Sequence, residues 1–361
     1  MKSIRLAVLI LLLLTASLTA QTVIENPEKP PTNNAGRILR LEELMQITDE
    51  SGDFFFRRPH SLSLDKNSCI YFADEDLFLK FSPEGNFIKN LYKQGQGPGE
   101  IQKYFSYVIQ DETILVWDSR SRKIIFYDLN GQLIRELKLR NLGGMRMIGP
   151  YKNSIIFSTF GLPDQDQMKG KIIDMEHDLH LVSMNSGEIN KITTVAIPWF
   201  FGPGYGMAQA PFNVLASESG DLLLINDSPE YRIKVMDTST GKIPKIFSRK
   251  YKRIKAPKRP AGIQSRSAVK LPERKYAYDI RYMFWNQTQI WISTSTQDEK
   301  KGSLYDVFSL EGNYLDCFYL PKEVSLMKVY GDILFARRQD EDGNYAVVKY
   351  KILDGTLITN K

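Results

Sequence analysis

The sequence predicts an all-β protein, a six-bladed β-propeller of four-stranded antiparallel blades, and three observations predict it. First, a unit recurs. CIYFADEDLFLKFSPEGNFIKNL from Cys69 lies over TILVWDSRSRKIIFYDLNGQLIREL from Thr113, with Asp74 and Asp118 standing 44 residues apart. Weaker copies start near Ser154, Asp221, Gln289 and Asp332, which makes six units. Second, runs such as IYF, ILVW and LLLI are apolar at successive positions, so their strands must be covered on both faces. Sheets stacked broadside around an axis supply that cover. Third, helical periodicity is nearly absent. Only RLEELMQI near Arg40 reads that way, and it reads equally as a strand.

Taken in order, the chain opens with a basic n-region (Lys2, Arg5), an apolar run Leu6 to Leu14, and small polar residues ending at Ala20. This pattern is that of a secretory signal peptide over residues 1–20, with an uncleaved anchor as the alternative. No cysteine near the cut supports a lipid anchor, and no later segment is apolar enough for a transmembrane helix. Residues 21–36, rich in Pro and Asn, are expected to be a flexible leader, and 37–361 the propeller. ILRLEELMQI from Ile38 stands where an N-terminal strand would complete the last blade and remove an exposed edge.

Each unit then carries an apolar strand, a short polar stretch, a second apolar strand, a Gly turn and a further strand. Between units one and two lies YKQGQGPGEIQKYFS, with Gly95, Gly97 and Gly99 at alternate positions. A dinucleotide fingerprint needs G-x-G-x-x-G opening a helix. Here the spacing differs and IQKYFSYVI reads as a strand. The glycines are therefore expected to turn the chain from one blade to the next. Cys69 falls in blade 1 and Cys317 in blade 5, beyond disulfide reach, so two free thiols are expected.

The pattern IYFAD…LFLKFSPEGNFI followed by GQGPGE resembles the NHL-repeat propellers, and most of all the bacterial exported six-bladed propellers with a GxGxGE element between blades. The resemblance spans residues 38–361. It is strong in the first two blades and weaker in the third, where MKGKIIDMEHD interrupts it, and in the fifth. It implies the fold more firmly than an activity, since many members of that group have none assigned.

Candidate chemistry is sparse. No Gly-x-Ser-x-Gly, phosphate loop, HExxH or CxxC is present. His177 and His180 lie among Asp174, Glu176 and Asp178 in DMEHDLH; a solvated loop is expected there rather than a zinc site. His60, Ser106 and Asn213 open innermost strands and are expected to line a central channel. Lactonase-like six-bladed enzymes hold calcium at that place, but no matching acid and amide set is seen here. Asp74, Asp118 and Asp227 are read as caps bonding the backbone of the turn that follows them. Asp340 to Asn344 is read as a plain turn, its glycine misplaced for a calcium loop.

Two stretches stand out. IPWFFGPGYGMAQAPF puts Trp199, Phe200, Phe201 and Tyr205 in what reads as a loop between blades 3 and 4, a stacking surface for a peptide or sugar, or a plug packed on the next blade. Arg249 to Lys275 holds eleven Lys and Arg against Glu273. Its +10 exceeds the chain's whole formal +6, so the rest of the chain is net acidic. Within it Lys250, Lys252, Arg253, Lys255, Lys258 and Arg259 are candidate contacts to a polyanion or partner. An exported chain would meet anionic headgroups or envelope polymers there, and not nucleic acid. The expectation is a monomeric binding module in the periplasm or outside the cell, without a cofactor, serving an envelope protein, peptide or glycan. The alternative is a calcium-dependent hydrolase or lyase with its site at the channel.

Overall fold

The computed structural model describes residues 21–49, 52, 54–139, 144–161, 170–202, 205–258 and 272–354. The expected signal peptide, 1–20, lies outside the described residues. Among those described there is no helix, and none long and apolar enough to cross a membrane.

Three strands come first: β1 (Thr22–Asn26), β2 (Arg37–Ile38) and β3 (Leu41–Ile47). Blade 1 is β4 (His60–Leu64), β5 (Ile70–Asp74), β6 (Leu77–Phe81) and β7 (Phe87–Asn90). Blade 2 is β8 (Phe105–Gln110), β9 (Thr113–Asp118), β10 (Lys123–Asp128) and β11 (Leu133–Lys138). Blade 3 has five strands: β12 (Arg146–Tyr151), β13 (Ser154–Phe160), β14 (Lys171–Ser183), β15 (Ile189–Gly202) and β16 (Tyr205–Ala208). Blade 4 is β17 (Asn213–Ala216), β18 (Leu222–Asn226), β19 (Arg232–Asp237) and β20 (Lys245–Arg249), with β1 added. Blade 5 is β21 (Ile280–Asn286), β22 (Gln289–Asp298), β23 (Gly302–Ser309) and β24 (Tyr314–Leu320), with β2 added. Blade 6 is β25 (Val324–Tyr330), β26 (Ile333–Gln339) and β27 (Tyr345–Ile352), closed by β3.

The middle strands are apolar on both faces because both faces are buried. Every residue of β5 is buried, and Phe72 and Trp291 expose nothing. Side chains of neighbouring blades interlock in six apolar clusters. One joins Phe72 and Phe81 of blade 1 to Phe335, Val347 and Ile47 of blade 6, so the circle is closed. The others join blades 1–2, 2–3, 3–4, 4–5 and 5–6 in turn.

As expected, β3 pairs antiparallel with β27 and completes the last blade. The leader expectation fails upstream of it. Residues 22–26 are β1, parallel to β20, and β2 runs parallel to β24. The N-terminal segment thus straps the outer edges of blades 4, 5 and 6. Polar anchors explain why a Pro- and Asn-rich stretch is ordered. Asn26 donates to Ser248 and Gly312 carbonyls (both 2.9 Å) and accepts from the Tyr314 N–H (2.8 Å). Arg37 forks onto Asp316 at 3.1 and 2.9 Å. Asp354 accepts the Arg40 N–H and Nε.

The alternate glycines form the hinge expected of them, and β8 follows them in place of a helix. A Cβ at Gly95 would stand 1.8 Å from Glu100 Oε2, and Gly99 has φ +69°. Lys123, 1% exposed, ties the hinge down by donating to the Gly97 carbonyl (2.8 Å) and Glu136 (2.7 Å). Both cysteines are free, Cys69 half-buried and Cys317 buried.

Candidate functional site

In an antiparallel meander every innermost strand begins on one face of the ring, here called the top. The linkers between blades and the turns after β5, β9 and β18 lie on that face too. The described sequence-derived candidates belong to it.

Blade 4 carries a cleft of about 480 Å³, walled by Glu25, Tyr231, Ser248, Arg249, Tyr251 and Arg253 among others. Its floor is a rigid node. Asp306 is fully buried and takes the Arg249 Nε (2.8 Å) and Nη2 (3.2 Å) and the hydroxyls of Tyr231 and Tyr314 (2.8 Å each). The Arg249 guanidinium lies 4.8 to 5.1 Å from the rings of Tyr231, Tyr251 and Tyr314. Burial opposes its charge, but the Asp306 carboxylate outweighs that and holds it above its ordinary value. Burial and the same carboxylate push both tyrosine hydroxyls up, so they remain donors.

Arg253, a sequence candidate for partner contact, is also structural. It binds Asp279 (3.1 Å) and the Pro229 carbonyl (3.1 Å). Lys250, Lys252, Lys255 and Lys258 instead stand in solvent beside the cleft. Arg259 and residues 260–271 lie outside the described residues. The two arms of this connection pair with each other: Lys255 bridges Tyr276, and Ala256 donates to the Lys275 carbonyl (3.1 Å).

The aromatic candidates are not on a loop. Trp199, Phe200 and Phe201 belong to β15, which with β14 and β16 extends blade 3 as a long hairpin. The interruption seen in the third repeat, MKGKIIDMEHD, supplies the start of β14. Phe200 and Phe201 are buried; Trp199 is half-buried and stacks on Phe201 at 6.1 Å over Gly206. The Tyr205 backbone opens β16, and its side chain lies outside the described residues. The hairpin and the basic connection meet where Tyr278 donates its hydroxyl to the Ala208 carbonyl (2.8 Å).

At the channel mouth, His60 faces Ala73 and Ser106 faces Trp117, each one residue before the strand-end Asp. Asn213 is offset by one: it faces Asn226, which ends β18 in the place of Asp74 and Asp118. The cap in blade 4 is therefore Asn226 and not Asp227, which pairs with Lys234. Asp118 bonds its following turn as expected. Asp74 instead takes the N–H groups of Arg57 and Arg58, the linker entering its own blade. Calcium needs several oxygen ligands, carboxylates above all. The charges that act on His60 are those of Arg58 and Arg337, cations that do not fit that ion.

His177 and His180 are buried in β14 and not in a solvated loop. Strand alternation puts Glu176 and Asp178 on the face away from His177, whose ring packs on Phe212 at 4.4 Å. Among the described residues no group of three His, Cys, Asp or Glu gathers to hold a metal.

Residues 48–198 match the family described as "6-bladed beta-propeller" (DUF5128). No curated protein matches the chain. An exported-type protein from Bacteroides fragilis is 12% identical, with TM-score 0.56 over 92% of this chain and 99% of that one. A DUF4221 family member from Bacteroides vulgatus is 12% identical, with TM-score 0.52 over 89% and 99%. At such identities the likeness is one of fold, and with the closed ring of six interlocked sheets it makes this chain a six-bladed β-propeller.

Proposed function

We propose that the chain is an exported binding module whose blade 4 surface holds an acidic envelope partner, a protein, peptide or glycan. One observation carries this reading. The conspicuous arginines of that surface, Arg249 and Arg253, are consumed in building a rigid cleft, while Lys250, Lys252, Lys255 and Lys258 beside it are exposed and make no ion pair among the described residues. Preformed walls with mobile charge at the rim favour recognition, since little ordering entropy is lost on the wall. The compartment is supported by the N-terminal pattern of a basic start and short apolar run. The similar protein from Bacteroides fragilis is itself described as of exported type. The blade motif's resemblance to NHL-repeat propellers fits a recognition role on one face of the ring.

The test is a pull-down from envelope extract, repeated with Lys250, Lys252, Lys255 and Lys258 all changed to Glu. Capture should weaken as salt rises and be lost in the charge-reversed variant. Retention on anionic vesicles, read in parallel, separates a lipid surface from a protein or glycan. Equal capture by both forms would sink the proposal.

A further inference from the structure

The channel mouth presents a second, unrelated feature. Arg58 and His60 enter blade 1, and Arg337 stands on β26 of the adjoining blade 6. Arg337 donates to the Pro59 carbonyl (3.1 Å), which fixes it against the strand that carries His60. His60 Nδ1 lies 3.0 Å from Ser61 Oγ. Arg58 and His60 are exposed and Arg337 is half-buried. Burial, then Arg337 and Arg58, hold the His60 imidazole below its ordinary range. Burial, then Arg58, does the same to Arg337.

No ion pair neutralises Arg58 or Arg337 among the described residues. Among the described residues the carboxylate that acts on Arg337 is Asp74, and both its oxygens are occupied by the Arg57 and Arg58 N–H groups. Tyr282 of blade 5, 58% exposed, also acts on Arg337, whose guanidinium lies 5.3 Å from the Tyr345 ring. Across the axis, Arg146 opens the innermost strand of blade 3, its side chain without a hydrogen bond or ion pair among the described residues, and burial lowers its guanidinium too.

The backbone adds an independent observation. Ser61 has φ +55° inside a bulge that breaks the register between His60 and Ser63. A left-handed serine is strained, and bulges of this kind re-aim a side chain at a site. Its carbonyl is held there by the Tyr107 hydroxyl. Crowded cations with no counter-charge are unfavourable unless something anionic neutralises them.

We infer that Arg58, His60 and Arg337 form an oxyanion site at the mouth of the central channel, taking a carboxylate or phosphate group of a small ligand. The guanidinium forks give bidentate, charge-assisted hydrogen bonds to such a group. His60 adds a donor, and a bound anion would raise its proton affinity.

The test is calorimetric titration of the full chain with inorganic phosphate and, separately, with succinate, at constant ionic strength set by chloride. Saturable binding of at least one is expected, and which one binds assigns the chemistry. Arg58→Gln and Arg337→Gln should each weaken it about tenfold or more. Arg122→Gln, in the blade 2 turn, should not. Should Arg337→Gln fail to fold, Arg337→Lys keeps the charge but loses the fork, and it too should bind more weakly. Absence of saturable binding for both probes, or equal binding by the Arg58 and Arg337 variants, overturns the inference. Either outcome leaves the blade 4 reading standing, since the lysines there take no part.

Discussion

Asp306 shows how much one buried residue can hold. Its two oxygens satisfy Arg249 and two tyrosines in a place without water access. Asp306→Asn leaves the guanidinium buried without its counter-charge. That change should cost about 3–5 kcal/mol, read as a fall in the denaturant midpoint. A change of well under 1 kcal/mol would mean the node contributes nothing. The histidines give a pH dependence. Burial holds the His177 and His180 imidazoles below their ordinary value, and His177 Nε2 and His180 Nδ1 have no hydrogen-bond partner. The unfolded chain then takes up protons near pH ~6.5, before the folded one does. Stability is present in full above that value and declines as pH falls through and below it. Thermal midpoints between about pH 7.5 and 5 should fall on the acid side, and His177→Phe, which matches the neighbouring Phe160 and Phe212 rings, should flatten that limb. A limb of unchanged slope would refute the assignment.

Among elements, the N-terminal strap has the most to test. β3 covers the edge of β27, while β1 and β2 add parallel fifth strands that blades 4 and 5 do not need for closure. Deleting 21–36 removes β1 and the three Asn26 hydrogen bonds, each worth about 0.5–1.5 kcal/mol. The melting temperature should drop by several degrees. Deleting through Ile47 also bares the β27 edge and exposes the cluster around Phe335 and Val347, and should drop it much further. Equal midpoints for both truncations and the intact chain would show that the strap is ornamental. The β14–β15 hairpin teaches a different lesson. Its thirteen- and fourteen-residue strands run beyond the blade, so the same residues that break the repeat in sequence are continuous in pairing.

At the scale of the whole molecule, closure is what brings the residues of the two proposed sites together. Six interlocked apolar layers fix the innermost strands, and only that ring sets Arg337 of blade 6 beside Arg58 of blade 1, nearly 280 residues earlier. The same ring sets the basic connection against the aromatic hairpin through Tyr278 and Ala208. The sequence by itself determined the repeat, its strands and turns, the hinge at Gly95 to Gly99 and the closing strand, because these rest on local chemistry: double-sided apolar runs, glycine freedom and turn residues. The positions of His60 and Ser106 on innermost strands were legible for the same reason. Arg58, Arg146 and Arg337 were not, since no spacing in the chain marks cations that meet only across blades. Nor was the order in residues 22–26, whose anchors Ser248, Gly312 and Tyr314 lie more than two hundred residues away. Tertiary structure alone decided which charges are spent in pairs and which remain open to a ligand, because pairing depends on distance in space, and a strand pattern carries information only about which face each side chain takes.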